Sequence, residues 1–108
     1  GLAAIQRDIR SRLHRPDLTP AAIARAADLS VRSLHRLFAA NGLTVARFLA
    51  SERLARARKM IEADTAGAHS LIEIALACGF NDPAHFSRAY RAQFGESPSE
   101  TRARATRP

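Results

Sequence analysis

Two groups of polar side chains recur at helical spacing in this sequence. They are Arg32, His35 and Arg36, and then Ser87, Arg88 and Arg91. Spacings of three and four residues place side chains on one face of a helix. A guanidinium can donate two parallel hydrogen bonds to a phosphate or to the paired acceptors on a guanine edge. These groups therefore indicate recognition of a polyanion.

Other kinds of chemistry find no matching pattern. Cys78 and the four histidines lack the spacing of a zinc site, and Cys78 falls at a core position of its helix. Serines, histidines and acids are present, but none forms a nucleophile motif, and there is no glycine-rich phosphate loop. The sequence predicts no catalytic residues, no metal site, no cofactor and no enzyme.

The net charge of +7, with a pI near 11.4, favours a polyanionic partner. Nearly all the basic residues are arginines, with Lys59 the one lysine, and a GC-rich genome would also encode such a chain. Composition leaves both interpretations open, so position has to decide. With a single cysteine, no signal peptide and no run of 18 apolar residues, a cytoplasmic protein without a membrane span is expected.

Capping residues and apolar periods divide the chain into seven helices with no strand pattern, an all-α fold. The predicted helices are 2–14, 20–27, 31–40, 45–63, 71–78, 83–94 and 98–104. Residues 64–69 are the one linker-like stretch, and the tail after about Arg104 is expected to be loose. The division is a first subdomain at 1–44, a linker helix at 45–63 and a second subdomain at 64–108.

An internal repeat explains this arrangement. Residues 23–29 align with 74–80 at a shift of 51, and the helices that follow align at a shift of 52, which pairs Arg36 with Arg88. Each copy is a short helix, a tight turn and a second helix, the helix-turn-helix plan. Gly79 stands where the turn needs a left-handed residue, and Asp28 tolerates that conformation in the first copy.

The second helix of each copy has an inward and an outward face. The predicted inward sets are Val31, Leu34, Leu37 and Phe38, and Phe86, Ala89, Tyr90 and Phe94. The outward sets are Arg32, His35, Arg36 and Ala39, and Ala84, Ser87, Arg88 and Arg91. One such face alone would be interpreted as ordinary solvated surface. Two copies with matching polarity favour a binding surface of the size that a DNA major groove admits.

With these residues in place, the chain resembles the C-terminal DNA-binding domain of the AraC family of bacterial transcription regulators. The resemblance covers about residues 5–104 and is most specific in IEIALACGFNDPAHFSRAYRAQFGESPSETR, residues 72–102; RLARARKMI, residues 53–61, resembles the family's central helix. Tyr90 replaces the usual Phe and Thr101 the usual aromatic before Arg102, departures that bear on the packing of the last helix.

The resemblance implies two helix-turn-helix subdomains that place two recognition helices in successive major-groove segments of double-stranded DNA. The base-reading positions it implies are Arg32, His35, Arg36, Pro83, Ala84, Ser87 and Arg88, with His85 adjacent. Arg36 is the leading candidate, because arginine can bond both guanine acceptors. His35 either donates to a base or phosphate or is simply an exposed polar residue. The second helix is expected to hold backbone more than bases.

Phosphate contacts are expected where helix N-termini offer free N–H groups. The expected phosphate-binding residues are Ser30, Ser33, Arg47, Asn81, Ser87 and Arg91. For Arg47 and Arg91 a purely solvated role is equally open.

Two further hypotheses compete with sequence-specific DNA binding. The exposed faces could instead dock on RNA polymerase or a partner regulator, and such binding would be insensitive to salt. An enzyme with an unseen site is the third, and the sequence gives it no positive support. The resemblance also implies that an effector or dimerisation domain is missing from this chain and that RNA polymerase is a partner of the whole protein.

Overall fold

The computed structural model describes residues 1–106, and within that range it contains helices and loops and no strand. The helices are α1 (Leu2–Ser11), α2 (Pro20–Ala26), α3 (Val31–Ala40), α4 (Val45–Ala63), α5 (Leu71–Ala77), α6 (Pro83–Phe94) and α7 (Pro98–Ala105). The predicted all-α fold class is confirmed.

Side-chain caps start most of these helices where the sequence placed them. Thr19, Ser30 and Thr44 each accept a hydrogen bond from the backbone N–H three residues ahead. Ser70 and Ser97 form complete capping boxes with the glutamates three residues on, in which each side chain bonds the other residue's backbone N–H. Because these bonds are local, they fix the helix starts independently of the tertiary packing.

Helix ends differ more from the prediction. α1 ends at Ser11 rather than at His14, and Arg15 N–H bonds the Arg12 carbonyl at 3.1 Å in a tight turn. From Arg12 on, the backbone bonds span three residues instead of four, beginning with Arg12 N–H to the Ile9 carbonyl at 3.0 Å. The Leu13 and Arg15 carbonyls accept from Arg53 of α4. α2 and α5 each end one residue earlier than predicted, and α7 continues to Ala105. Residues 107 and 108 of the expected loose tail lie outside the described residues.

Two hydrophobic cores lie along one shared helix. The first joins α1, α2 and α3 with the start of α4, and the second joins α5 and α6 with the rest of α4. On α4, Leu49 belongs to the first core and Leu54 to the second. The molecule is accordingly elongated, 48 Å long and 23 by 22 Å across. We call the α1–α3 unit the first lobe and the α5–α7 unit the second lobe.

The two helix-turn-helix turns have the backbone that the repeat requires. Asp28 has φ +58° and Gly79 has φ +95°, both in the left-handed region. Ala24 and Ala75, the small residues of the first helices, are each only 2% exposed, so the paired helices approach closely. The sharp break between α5 and α6 thus has a local backbone cause.

The predicted inward position of one residue in the α3 stripe is wrong. Val31 is 41% exposed, whereas Leu34 and Phe38 of the same stripe are fully buried. Val31 is the first residue of α3, so it lies at the end of the helix, outside the core that closes over the next turns. The corresponding stripe of α6 is buried at Phe86 and Tyr90 and half-buried at Ala89 and Phe94.

The two departures from the family pattern contact each other. Tyr90 Oη donates a hydrogen bond of 2.8 Å to Thr101 Oγ1, and both side chains are fully buried. Thr101 Oγ1 in turn donates to Glu96, which also accepts from Arg104. Burial raises the pKa of the Tyr90 phenol, which keeps its proton as the donor. A chain of polar contacts therefore joins α6 to α7, and α7 packs against α4 and α6.

The linker-like stretch at 64–69 is held by one carboxylate. Asp64 accepts hydrogen bonds from the backbone N–H groups of Ala68 at 2.9 Å and His69 at 3.0 Å. Arg102, the arginine of the family pattern in α7, bonds the same carboxylate at 2.9 Å. The backbone bonds, then the Arg102 charge, lower the pKa of Asp64. The two ends of this loop are thus held together by Asp64, and the same carboxylate is bonded to α7 through Arg102.

Candidate nucleic-acid interface

The outward face of α3 carries three unpaired polar side chains. Arg32, His35 and Arg36 are exposed, and none makes a side-chain hydrogen bond or ion pair with any residue between 1 and 106. Leu34 and Phe38 on the opposite face are fully buried and anchor the helix. The packing therefore fixes the helix while its guanidinium groups stay free for a ligand.

The N-terminus of α3 is capped by neutral groups. Ser30 Oγ accepts from Ser33 N–H at 3.0 Å and donates to Ser33 Oγ at 2.9 Å. The structure thus brings the two predicted phosphate-binding serines together. The helix dipole at this end is not offset by an acidic residue in the first turn, which favours an anion there.

The outward face of α6 is less polar. Ala84, His85, Ser87 and Arg88 are all exposed, and Arg88 has no intramolecular partner within the described range. The His85 ring meets the edge of Phe80 with centroids 6.1 Å apart, which restricts its orientation. Arg88 is therefore the free cation that corresponds to Arg36 in the repeat.

Asp82 sets the N-terminus of α6 apart from that of α3. Its carboxylate accepts from the backbone N–H groups of Ala84 at 3.1 Å and His85 at 3.3 Å, and Pro83 has no N–H to offer. Asn81 is exposed beside it. The free donors of this helix end are used within the protein, and a negative charge sits where a phosphate would lie. This difference between the two helix starts was not predicted from the sequence.

The basic side chains divide into paired and unpaired groups. Several arginines form an ion pair with a carboxylate and others donate to backbone carbonyls; the former include Arg10, Arg12, Arg15, Arg58, Arg102 and Arg104, and the latter are Arg53 and Arg56. Arg91, a predicted phosphate contact, also pairs with Glu100 at 3.1 Å, both side chains being exposed. Those without a side-chain hydrogen bond or ion pair inside residues 1–106 are Arg7, Arg25, Arg32, Arg36, Arg47, Lys59 and Arg88. The charge available to a ligand therefore includes both repeat-related arginines.

Three cations that are unpaired within residues 1–106 were not among the residues predicted from the sequence: Arg7, Arg25 and Lys59, the last exposed on α4. Arg25 is exposed in the last turn of α2, and Arg7 is exposed on α1. For Arg7 a signal existed, since no acid lies three or four residues away on its helix. For Arg25 the sequence gave no such signal, because Asp28 stands three residues on, at the spacing of a helical ion pair. The left-handed turn at Asp28 is what separates the two side chains.

No helix within residues 1–106 is both long and apolar enough to cross a bilayer. In the same range, no three histidine, cysteine, aspartate or glutamate side chains are grouped so that they could hold a metal ion. Cys78 is a fully buried free thiol.

A family described as a helix-turn-helix domain matches residues 23–104, which include both repeat copies and all of α4. The transcriptional activator NphR of a Rhodococcus species is 40% identical over 98 residues. That match covers 90% of this chain but 28% of NphR. The chain thus spans little more than a quarter of the length of this relative.

Solved structures share the whole fold. A probable AraC family transcriptional regulator from Rhodopseudomonas palustris is 32% identical, with a TM-score of 0.83, over 96% of this chain and 94% of that one. The DNA-binding domain of the global transcriptional factor AdpA, solved in complex with a target DNA, is 28% identical with a TM-score of 0.84. This match covers 95% of the present chain and 90% of the AdpA chain.

Proposed function

Since the chain belongs to the AraC family of helix-turn-helix DNA-binding domains, we propose that α3 and α6 enter successive major-groove segments of one DNA duplex. The lobes at 1–44 and 64–108 and the linker helix at 45–63 then act as one DNA-binding unit. The observation that carries this proposal is the pair of repeat-related arginines, Arg36 and Arg88. Both are exposed and neither has a partner within the described residues.

The dimensions support binding to one face of the duplex. α4 has nineteen residues, about 28 Å of helix, against about 34 Å between successive groove segments. The 48 Å length of the molecule covers that spacing. The similar AdpA domain was solved in complex with a target DNA, which supports DNA as the ligand of this chain.

In this proposal α3 reads most of the sequence. Arg36 and Arg32 would each bond the two acceptors of a guanine, and His35 would donate to a base or phosphate. Arg88 would read one base from α6, where Ala84 and His85 offer apolar contact and a single donor. The α6 helix therefore supplies less sequence information than α3.

Backbone contacts would hold the domain in register. The α3 N-terminus, with Ser30 and Ser33, and the free Arg47 at the start of α4 are the main phosphate contacts. Asn81, Ser87 and Arg91 are secondary, since Asp82 repels phosphate from the α6 N-terminus and Glu100 already pairs with Arg91.

For the longer protein we propose a cytoplasmic transcription regulator with an effector or dimerisation domain and RNA polymerase as a partner. The support is the length of NphR, of which this chain matches 28%. Docking on protein alone explains the matched free arginines less well than DNA does.

The experiment is a titration of Arg36→Ala on a duplex selected from random sequences. The expected cost is about 1 to 3 kcal/mol, concentrated at one base position. Lys59→Ala is the control, because it removes one exposed charge away from α3 and α6. Equal weakening on every sequence would make Arg36 a backbone contact, and binding that ignores salt would reject DNA as the ligand.

A further inference from the structure

Arg53 lies on α4 between the two cores and bonds the backbone of the first lobe. Its Nε donates to the Leu13 carbonyl at 3.1 Å, and its Nη2 donates to the Arg15 carbonyl at 2.6 Å. Both carbonyls belong to the turn that follows α1, where helical bonding has stopped. The guanidinium therefore fastens the middle of the linker helix to the end of the first lobe.

Gly79, in the turn between α5 and α6 of the second lobe, lies against the same Leu13 carbonyl and the Arg53 guanidinium. A Cβ atom placed on Gly79 would lie 2.3 Å from the Leu13 carbonyl oxygen and 2.7 Å from Arg53 Nε. Backbone of one lobe thus meets backbone of the other with no room for a side chain. Asp28, its counterpart in the repeat, carries an exposed side chain, so the left-handed turn alone does not demand glycine.

We propose that Arg53, Gly79 and the Leu13 carbonyl form an interlobe joint that fixes the angle between the lobes and selects the spacing of the two DNA half-sites. This inference rests on the proposed function. With α4 alone, the lobes would be joined by one rod that can bend and twist. Contact at the joint adds a second point of attachment, which is what a defined orientation requires.

The joint acts on binding through preorganisation. When one lobe binds, a fixed angle holds the other recognition helix over the next groove segment and raises its effective concentration there. The same rigidity penalises a site whose second half is displaced along the duplex. Arg53 is therefore a positioning residue that contributes to specificity without a base contact.

The first test measures spacing preference. Wild type, Arg53→Met and Arg53→Lys are titrated on duplexes with native spacing and with one base pair inserted or deleted. We expect Arg53→Met to weaken binding to the duplex with native spacing about tenfold. The ratio of its affinities for native and shifted spacing should fall to about twofold. Arg53→Lys should also lower both the affinity and the spacing preference, because one ammonium cannot reproduce the guanidinium's two bonds to the Leu13 and Arg15 carbonyls. Lys59→Met, which removes one exposed charge from the same helix, should keep the preference.

The second test compares two glycines. Gly79→Ala combines left-handed strain with the interlobe clash, whereas Gly95→Ala has a similar φ of +73° and open space around its Cβ position. We expect the preference for native spacing to fall in Gly79→Ala and to persist in Gly95→Ala. Equal behaviour of the two variants would overturn the joint.

The third measurement needs no DNA. Spin labels on Ala39→Cys and Ala92→Cys report the distance between α3 and α6, both sites being exposed, while burial raises the pKa of Cys78 and protects it from labelling. The distance distribution should broaden in folded Arg53→Met and stay narrow in Lys59→Met. An unchanged width in Arg53→Met rejects the joint, whatever the DNA titrations show. If the width broadens but wild type binds no DNA sequence specifically, the joint stands and the proposed function alone is rejected.

Discussion

The buried pair formed by Tyr90 and Thr101 allows a prediction of stability with a definite order of effects. Thr101 Oγ1 accepts from the Tyr90 hydroxyl at 2.8 Å and donates to Glu96, and both Tyr90 and Thr101 are fully buried. Three changes separate the two bonds. They are Tyr90→Phe, Thr101→Val and the double variant, each of which preserves the side-chain shape closely.

The magnitudes follow from which groups lose their partners. Tyr90→Phe removes one hydrogen bond and leaves Thr101 bonded to Glu96, so the expected loss of unfolding free energy is about 1 kcal/mol. Thr101→Val leaves the buried Tyr90 hydroxyl without its acceptor, which costs about 1 to 3 kcal/mol, and it also removes the donor to Glu96. The double variant should cost less than Thr101→Val alone, because the stranded hydroxyl is gone.

Thermal and urea unfolding followed by circular dichroism measure this order. For a domain of this size about 1 kcal/mol corresponds to about 4 to 8 °C in Tm. Thr65→Val is the control, since Thr65 lies exposed in the 64–69 loop and should change Tm little. If Thr101→Val costs no more than Tyr90→Phe, or if the two effects simply add, the Tyr90–Thr101 bond does not contribute as described.

Three further predictions concern charge. Asp82→Asn keeps a capping oxygen but removes the carboxylate at the α6 N-terminus, so DNA affinity should rise, most at low salt, in a fluorescence-anisotropy titration. Arg47→Ala should weaken binding alike on all sequences and reduce the slope of log K against log salt by about 1; an unchanged slope would mean that Arg47 does not touch phosphate. Asp64 has a pKa lowered by its backbone bonds and by Arg102, so its stabilisation is present above the ordinary carboxyl pKa and is lost as pH falls through the lowered one. The stability difference between wild type and Asp64→Asn in urea unfolding should therefore be largest near neutral pH and should shrink in acid, and a constant difference would contradict this linkage.

Local signals predicted much of the fold. The caps at Ser30, Ser70 and Ser97 were identifiable because a capping side chain bonds backbone only two or three residues away. The all-α class, the family and a DNA-binding domain that is not an enzyme were confirmed. The end of α1 and the exposure of Val31 were predicted wrongly, because the first depends on how the turn is completed and the second on where the core ends. The roles of individual residues at the DNA surface stay predictions.

The amino-acid sequence by itself determined where the helices start, where the turns need left-handed residues and which two segments repeat, since each depends on residues close together in the chain. The tertiary structure alone decided which cations are free. Arg53 is used by carbonyls 38 and 40 residues away, and Arg102 by a carboxylate 38 residues away, whereas Arg36 and Arg88 have no partner in residues 1–106. The physical reason is that a guanidinium becomes available to a ligand only when folding brings no acceptor within its reach, and that reach is set in space rather than along the chain.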